Sequence, residues 1–439
     1  MIQTRPKKQP ERALLIGLEQ EGVSKWDLAD SMEELRELAS SAGAEVVDTV
    51  TQKLSRPTAP FYIGKGKAEV IKDCVQRERV TSVIFNDELS PAQGRNLENL
   101  LSRKVLDRTQ LILDIFAQRA RSREGRLQIE LAQLQYLLPR LTRMWNHLSR
   151  QTGGIGTRGP GETQLEVDRR RVQERIARLE RDLEGVRKVR AIQRQGRKRH
   201  QWPVAAVVGY TNAGKSTLLN LMTGADVLAA NQLFATLDPT TRSFHLPNKQ
   251  RVLLTDTVGF LRKLPHTLIE SFKATLEEVS DADILIHVVD LSHPRVDEQM
   301  EAVDIVIKEL DAFGKQTLIV FNKIDLLDQP ELAGIYVQRF PGSVAISART
   351  GAGVDQFVQA LQAALGAWRL RSRFRVPLSD SSLVAEIHRV GHVLELRYEG
   401  EYAVITAHVP PQLEHKLERF ADESATQVSA ETAVPPFSG

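Results

Sequence analysis

The sequence has one cysteine, few aromatic residues and no long apolar run. Of its 439 residues, one is cysteine and 5% are aromatic. A single cysteine excludes an internal disulfide and any paired-cysteine metal or redox site, which is typical of a reducing compartment. No apolar stretch reaches the roughly 18 to 20 residues that span a bilayer, and the run 13–18 near the start is too short for a secretion signal. We therefore expect a cytoplasmic protein with no integral membrane segment, leaving a membrane-associated fraction open.

The charge of the chain is unevenly distributed. The net charge is only +3, with 41% hydrophobic and 26% charged residues, as in ordinary soluble globular proteins. Between residues 140 and 200, however, there are 17 Lys and Arg against seven Asp and Glu. A local excess of ten positive charges indicates a polyanionic partner.

The first two of four predicted segments differ in their hydrophobic period. Residues 1–115 alternate apolar strands at 13–18, 45–50 and 80–85 with amphipathic stretches, which predicts an α/β domain with a small parallel sheet flanked by helices. Residues 116–200 instead repeat apolar side chains in a seven-residue frame, which predicts two long helices. The repeating residues are Leu127, Leu131, Leu134, Leu138, Leu141, Trp145, Leu148, Leu165, Val172, Ile176, Leu179, Leu183 and Val186.

A glycine-rich string separates these two helices and predicts an antiparallel helical hairpin. Glycine is entropically costly in a helix and Pro160 lacks an amide hydrogen, so the string 153–161 should form the tip. At 1.5 Å per residue the basic hairpin should be about 45 to 50 Å long. Pro139 should kink its first arm.

The remaining two segments are again of the α/β type. Residues 201–368 contain short buried-strand runs at 204–208, 251–254, 284–289, 317–321 and 344–346, which predicts a doubly wound sheet. Residues 369–439 begin with alternating arginines and show strand-like runs at 393–398 and 402–408, so we expect a small α/β domain. Its polar, proline-containing tail is predicted to be disordered.

A phosphate-binding loop follows the first strand of the third segment. Glycines let the backbone amides turn towards phosphates, the lysine supplies a positive charge, and the serine hydroxyl can bind Mg²⁺ at the start of the next helix, predicted at Thr217. A chance glycine turn is the alternative, and the strand-loop-helix context makes it improbable. The loop consists of Gly209, Tyr210, Thr211, Asn212, Ala213, Gly214, Lys215 and Ser216.

Three downstream motifs predict that the nucleotide is GTP. The Asp256-Thr-Val-Gly259 string follows a strand, where a carboxylate can hold a Mg²⁺-bound water and a glycine amide can sense the γ-phosphate. In the string 322–325, Asp325 can accept two hydrogen bonds from the guanine edge, which adenine does not offer. Asn322, Lys323, Ser347 and Ala348 complete the base pocket. We therefore expect a P-loop GTPase domain.

The four ordered nucleotide motifs resemble those of the translation-factor-related GTPases, and two longer strings resemble the HflX family. One is the string 234–240, Phe-Ala-Thr-Leu-Asp-Pro-Thr, and the other is the hairpin-tip string 153–166. The similarity extends over nearly the whole chain, including Asp107-Arg108-Thr109 and the string 113–120, and fades over roughly the last 70 residues. It implies a ribosome-associated GTPase whose amino-terminal and helical parts enter the large subunit near its catalytic centre. Such a protein can separate stalled or idle ribosomes under stress, and we expect a monomer.

The resemblance also implies a role for individual residues. Lys215, Thr236 and Gly259 would be catalytic, and Ser216 with Thr236 would bind Mg²⁺; Thr240 or Thr241 is an alternative to Thr236. Phe260 stands where many GTPases have a water-orienting glutamine, so intrinsic hydrolysis should be slow and depend on a partner. The residues expected to bind GTP are Gly209, Tyr210, Thr211, Asn212, Ala213, Gly214, Lys215, Ser216, Thr217, Asp256, Gly259, Asn322, Lys323, Asp325, Ser347 and Ala348.

Several alternatives remain open at this stage. Asn212 could hold a potassium ion beside the phosphates or only stabilise the loop. The string Gly64-Lys65-Gly66-Lys67 is more typical of a turn and helix start than of a second phosphate site. An ATP site there would make the chain an RNA-remodelling protein that uses its amino-terminal domain. In a third hypothesis, the chain is a binding module in which GTP only switches partner affinity.

Overall fold

The computed structural model describes residues 10–141, 160–199, 202–224, 233–261 and 278–421, apart from positions 23, 235, 249, 369, 410–412, 414 and 415. The described residues form two compact units. The first unit contains the described residues within 1–188, 228–239 and 257–277. The second unit contains the described residues within 189–227, 240–256 and 278–439.

The amino-terminal part contains the predicted parallel sheet. The strands are β1 (Glu11–Glu19), β2 (Ala44–Lys53), β3 (Ser82–Phe85) and β4 (Lys104–Asp107), in the order β2-β1-β3-β4 and all parallel. The helices are α1 (Lys25–Ser41), α2 (Lys65–Arg77), α3 (Pro91–Leu101) and α4 (Arg108–Arg119). Strand β4 was not predicted, because it has only four residues and helix α4 follows it directly. The sheet confirms the expected α/β pattern.

The glycine-lysine string at 64–67 forms a helix start. Gly64 is the N-cap of α2, and its amide donates to Gln52 Oε1 at 2.9 Å. The amide that a phosphate would need is therefore already used by a protein side chain. The geometry favours the turn, as the sequence pattern does, over a second phosphate site.

The Asp107-Arg108 pair holds the amino-terminal part together. Asp107, 1% exposed, accepts from the amide of Gln110 at 2.9 Å and from the Tyr136 hydroxyl at 2.6 Å. Burial and the adjacent Asp107 carboxylate raise the pKa of Tyr136, so it remains a donor. Arg108 forms a buried ion pair with Glu34. The Asp107-Arg108 part of the string that resembles the HflX family therefore has a structural role in this chain.

Two helices form the predicted hairpin, with corrections to its length and tip. Helix α5 spans Arg123–Leu141 and α6 spans Pro160–Arg199. The 40 residues of α6 correspond to about 60 Å at 1.5 Å per residue, longer than expected. Helix α6 begins at Pro160 and includes Gly161, because proline is well tolerated in the first turn of a helix. Positions 142–159, with most of the tip string, Trp145 and Leu148, lie outside the described residues.

The seven-residue apolar frame packs α5 against α6. Leu131, Leu179 and Leu183 are buried, and Leu127, Leu134 and Ile176 pack around them. These six residues belong to the predicted heptad positions, and their contact confirms the hairpin between the described arms. Pro139 lies inside α5, and the kink expected there stays a prediction.

The second unit contains a six-stranded sheet in the order β10-β9-β8-β5-β7-β6. The strands are β5 (Val204–Val208), β6 (Thr240–His245), β7 (Arg251–Asp256), β8 (Ile284–Asp290), β9 (Thr317–Asn322) and β10 (Val344–Ala345). The helices are α7 (Lys215–Thr223), α8 (Val296–Glu309), α9 (Glu331–Arg339) and α10 (Val354–Trp368). The sheet is parallel except for β6, an antiparallel edge strand that the sequence analysis missed because it is polar and partly exposed. Helix α7 begins at Lys215, two residues before the predicted start.

The carboxy-terminal part adds a small antiparallel sheet. It consists of β11 (Leu370–Pro377), α11 (Ser381–Val390), β12 (His392–Glu399) and β13 (Tyr402–Val409), with the strand order β11-β13-β12. This confirms the predicted small α/β domain. The polar tail predicted to be disordered lies outside the described residues. In the part of the chain that the structure describes, no helix has the length and apolar character needed to cross a membrane.

Candidate nucleotide-binding site

The phosphate-binding loop and the ends of three strands with polar residues lie at one edge of the six-stranded sheet. Strand β5 lies between β7 and β8 and leads into the loop 209–216. Asp256 ends β7, Asp290 ends β8 and Asn322 ends β9. Because the carboxyl ends of parallel strands share an edge, these polar side chains surround the loop.

The loop needs glycine at both of its ends. Gly209 has φ +149°, and a Cβ there would lie 2.2 Å from the carbonyl oxygen of Val288. Gly214 has φ +96°, and a Cβ there would lie 2.2 Å from Nδ2 of Asn322. Between them Asn212 has φ +61°, a conformation that asparagine tolerates better than most residues. The backbone therefore curls as a phosphate cradle requires.

Lys215 lies buried at the start of α7 and points back into the loop. Its Nζ donates to the carbonyl oxygens of Gly209 at 3.1 Å and Tyr210 at 2.7 Å. Burial lowers its pKa to about 8, and Asp256 opposes this shift. Phosphate oxygens would replace the two carbonyls as partners and would favour the charged amine.

The Ser216 hydroxyl and the Asp256 carboxylate lie together where Mg²⁺ would bind, the hydroxyl as a ligand and the carboxylate as the acceptor of a Mg²⁺-bound water. The Ser216 hydroxyl donates to Asp256 Oδ2 at 2.6 Å. Mg²⁺ prefers oxygen ligands and usually takes one or two from the protein, with phosphates and water supplying the rest. The donor set therefore suits the metal that the motifs imply.

Three threonines are candidates for the second magnesium contact. Thr240 and Thr241 both belong to β6, where they pair with Asp256 and Thr255, and the Thr241 and Thr255 hydroxyl oxygens are 2.9 Å apart. Thr236 lies outside any regular element and is half-buried. The assignment of this contact to Thr236 stays a prediction.

The predicted base-binding residues lie beside the loop. Asn322 donates from Nδ2 to the Ala213 carbonyl at 2.8 Å, and its Oδ1 accepts from the Ala348 amide at 2.9 Å. Asp325 Oδ1 accepts from the buried Ser347 hydroxyl at 2.6 Å, while the Asp325 side chain is exposed. Asn322 thus joins the two loops, and Ser347 orients a carboxylate that remains open to a base.

Asp290 is a site residue that the sequence analysis missed. Its Oδ2 pairs with Nζ of Lys323 at 2.6 Å, and its Oδ1 accepts from the Ser292 hydroxyl at 2.6 Å. This contact orients Lys323, whose backbone has φ +66°. The position of Asp290 at the end of a predicted parallel strand was the available signal.

Gly259 and Phe260 follow Asp256 along the chain and belong to the other unit. The Phe260 side chain is 1% exposed. A buried phenyl ring has no hydrogen-bonding group with which to orient water, so the chain supplies none at this position.

Comparison with known proteins agrees with this geometry. Three family models match: "GTP-binding GTPase N-terminal" over residues 29–117, "GTP-binding GTPase Middle Region" over 119–197 and "50S ribosome-binding GTPase" over 204–323. The chain is 46% identical over 410 residues to the GTPase HflX of Caldanaerobacter subterraneus subsp. tengcongensis, covering 93% of this chain and 94% of that protein. It is 47% identical over 363 residues to the GTPase HflX of Escherichia coli K12, covering 82% and 85%.

A solved structure is also similar. A GTP-binding protein from Sulfolobus solfataricus, in complex with GDP, is 26% identical, with a TM-score of 0.45 and coverage of 81% of this chain and 98% of that one. The family assignment rests on the sequence matches, which extend over nearly the whole chain. With its guanine-nucleotide motifs gathered at one sheet edge, the chain is a GTPase and belongs to the HflX family.

Proposed function

We propose that this GTPase binds the large ribosomal subunit through its basic hairpin, hydrolyses GTP there and separates stalled or idle ribosomes under stress. The observation that carries the proposal is the joining of a positively charged helical arm to a guanine-nucleotide site in one chain. The family model described as a ribosome-binding GTPase supports the ribosome as partner. We also propose that the protein acts in the cytosol as a monomer, and that its domains are 1–115, 116–200, 201–368 and 369–439.

The hairpin has exposed arginines that can exchange their present ion pairs for contacts with RNA phosphates. Arg169, Arg170 and Arg171 are exposed on α6. Arg170 pairs with Glu174 at 3.0 Å and Arg171 with Asp168 at 3.7 Å, both on the helix surface. Exposed ion pairs contribute little to stability. Exchanging them for phosphate contacts therefore costs little and releases counterions from the RNA.

The site residues would divide the hydrolysis chemistry among them. The loop amides and Lys215 would hold the phosphates, with Asp325 reading the base and Gly259 sensing the γ-phosphate. Mg²⁺ bound at Ser216 and Thr236 would neutralise charge on the phosphates. Since Phe260 cannot orient water, the rate should depend on a group or an alignment that the ribosome supplies.

The proposal is tested by measuring GTP turnover and subunit binding together. We expect purified ribosomes to accelerate turnover, and large subunits to co-sediment with the protein loaded with a non-hydrolysable GTP analogue more than with GDP. Splitting is read from the appearance of free subunits in a sucrose gradient. Turnover that ribosomes leave unchanged would instead support a GTP-gated binding module.

Replacing Arg169, Arg170 and Arg171 with glutamate should weaken subunit binding without changing GDP affinity. Each lost phosphate contact should reduce the slope of log affinity against log salt by about 0.7 to 0.9. The measurement is co-sedimentation at several salt concentrations. A variant with glutamate at the exposed Arg375, Arg389 and Arg397 of the carboxy-terminal part carries the same charge change and is the control. If the two variants bound the large subunit equally well, these three arginines would not belong to the RNA interface.

Potassium should stimulate GTP turnover if Asn212 holds a cation beside the phosphates. The motivation is chemical, because with Phe260 in place of a glutamine the transition state lacks one source of stabilisation. We expect faster turnover in KCl than in NaCl at the same ionic strength, and a smaller difference in Asn212→Ala. Because Asn212 has φ +61°, alanine at this position would also strain the backbone. Asn212→Gly is the control, since glycine adopts this φ without strain and also lacks the amide side chain. Identical rates in the two salts would leave Asn212 with a role in loop conformation only.

A further inference from the structure

The described residues of the segment 233–239, which precedes β6 in the chain, are held by contacts at two points. Its first anchor is Phe234, whose ring meets that of Phe116 edge to face with centroids 4.5 Å apart. Both rings are nearly fully buried. Phe234 has φ +57°, an unfavourable conformation for a bulky residue that the packing of its ring has to offset.

The second anchor is Asp238, which contacts the junction between α4 and α5. Its Oδ2 accepts from the backbone amides of Arg121 at 2.8 Å and Ser122 at 2.7 Å. Its Oδ1 accepts from the Ser122 hydroxyl, and the same hydroxyl oxygen accepts from the Gly125 amide at 2.9 Å. The carboxylate therefore binds at the amino end of α5, where the helix dipole favours a negative charge.

The junction is shaped to admit this carboxylate. A Cβ at Gly125 would lie 2.6 Å from Asp238 Oδ1, so a larger residue at position 125 would displace the contact. Helix α5 continues from the junction into the hairpin, where Leu131 packs against α6 and Glu130 pairs with Arg175 at 2.7 Å. The contact thus lies at the base of the arm that we assign to RNA.

Thr236 stands midway between the two anchors, two residues after Phe234 and two before Asp238. A threonine held in this way cannot change its position freely while both anchors persist. Any nucleotide-dependent movement of Thr236 must strain or release the contacts at the base of α5. By linkage, a change at the arm then alters the position of Thr236 to an equal energetic extent.

We propose that Asp238 is a positioning residue that couples the nucleotide state, through Thr236, to the helical hairpin. It acts through the amides of Arg121 and Ser122 and contacts no reacting atom. The proposal rests on the proposed function, in that Thr236 binds the magnesium ion and the hairpin binds the ribosome. Neither the phosphate-binding motifs nor the guanine motif uses Asp238.

The first test reads the contact directly and needs no ribosome. Hydrogen exchange at the amides of Arg121 and Ser122 is measured in the full chain with Mg²⁺ and either GDP or a non-hydrolysable GTP analogue. We expect the exchange rates of these two amides to differ between the nucleotides by about 5- to 150-fold, the usual range of allosteric coupling. In Asp238→Ala the amides should exchange quickly with both nucleotides. Equal rates with both nucleotides in the wild-type protein would overturn the proposal.

The second test is a double-mutant cycle on ribosome-stimulated turnover. Asp238→Ala and Ser122→Ala should each lower the stimulated kcat, with GDP affinity unchanged, and the double variant should lose no more than the stronger single variant. Asp238→Asn retains an oxygen that can accept from both amides, so it should restore part of the stimulation. If instead the losses in stimulated kcat added up in the double variant and paralleled its fall in thermal midpoint, the role of Asp238 would be structural only and the proposal would be overturned.

The two tests separate this inference from the proposed function. If ribosomes fail to stimulate the wild-type protein, the proposed function fails, while the exchange measurement still decides the coupling. If ribosomes stimulate the wild type and Asp238→Ala to the same degree, the proposed function stands and the coupling role of Asp238 is wrong.

Discussion

Replacing Asp325 with asparagine is expected to lower GTP affinity by about 10²- to 10⁴-fold, the equivalent of two charge-assisted hydrogen bonds. Asp325 is exposed at the predicted base site, and its Oδ1 accepts a hydrogen bond from the Ser347 hydroxyl at 2.6 Å. The carboxylate can accept from N1 and N2 of guanine, whereas the asparagine amide presents a donor where an acceptor is needed.

The same variant should gain affinity for xanthosine triphosphate. Xanthine carries a carbonyl in place of the 2-amino group, and the amide of the new asparagine can donate to it. The measurement is competition of the two triphosphates against a fluorescent nucleotide. Asp328→Asn, the same change at an exposed acid three residues along, is the control and should leave the preference for GTP intact. An unchanged preference in Asp325→Asn would show that Asp325 does not read the base.

Replacing Gly214 with alanine should lower nucleotide affinity by about 100-fold or more, the cost of misplacing one or two charge-assisted contacts. The new Cβ would lie 2.2 Å from Asn322 Nδ2, which donates to the Ala213 carbonyl. The clash would displace the side chain that joins the loop to Ala348. We also expect the free energy of unfolding of the nucleotide-free protein to fall by about 2 to 4 kcal/mol.

The matched control is Gly224→Ala at the other end of α7. Gly224 also has a left-handed conformation, with φ +63°, but nothing lies within 4 Å of a Cβ placed there. This variant should carry only the backbone cost, about 1 kcal/mol, and keep its nucleotide affinity. Affinity is measured by GDP titration and stability by denaturant unfolding. If both variants bound GDP equally well, crowding against Asn322 would have no role in shaping the loop.

Local patterns were enough to predict the elements that have either a continuous apolar run or one repeating apolar period. Strands β5, β8 and β9 are short, nearly continuous buried runs, and the leucines of the hairpin follow a seven-residue frame, so these elements could be predicted. The polar edge strand β6 has no such period, and β4 is too short to show one. These two strands form because neighbouring strands offer unpaired backbone groups, which no local window contains.

The nucleotide chemistry follows from the local sequence, since glycines, lysine, serine and carboxylates at fixed spacings dictate which groups can face a phosphate and a base. Tertiary structure alone decided which of these groups meet. Asp290 reaches Lys323, and Asp238 reaches the amide of Ser122 across 116 positions of sequence. Such partners depend on how strands are ordered and where a helix begins, and folding sets both by burying apolar faces that lie far apart in the chain.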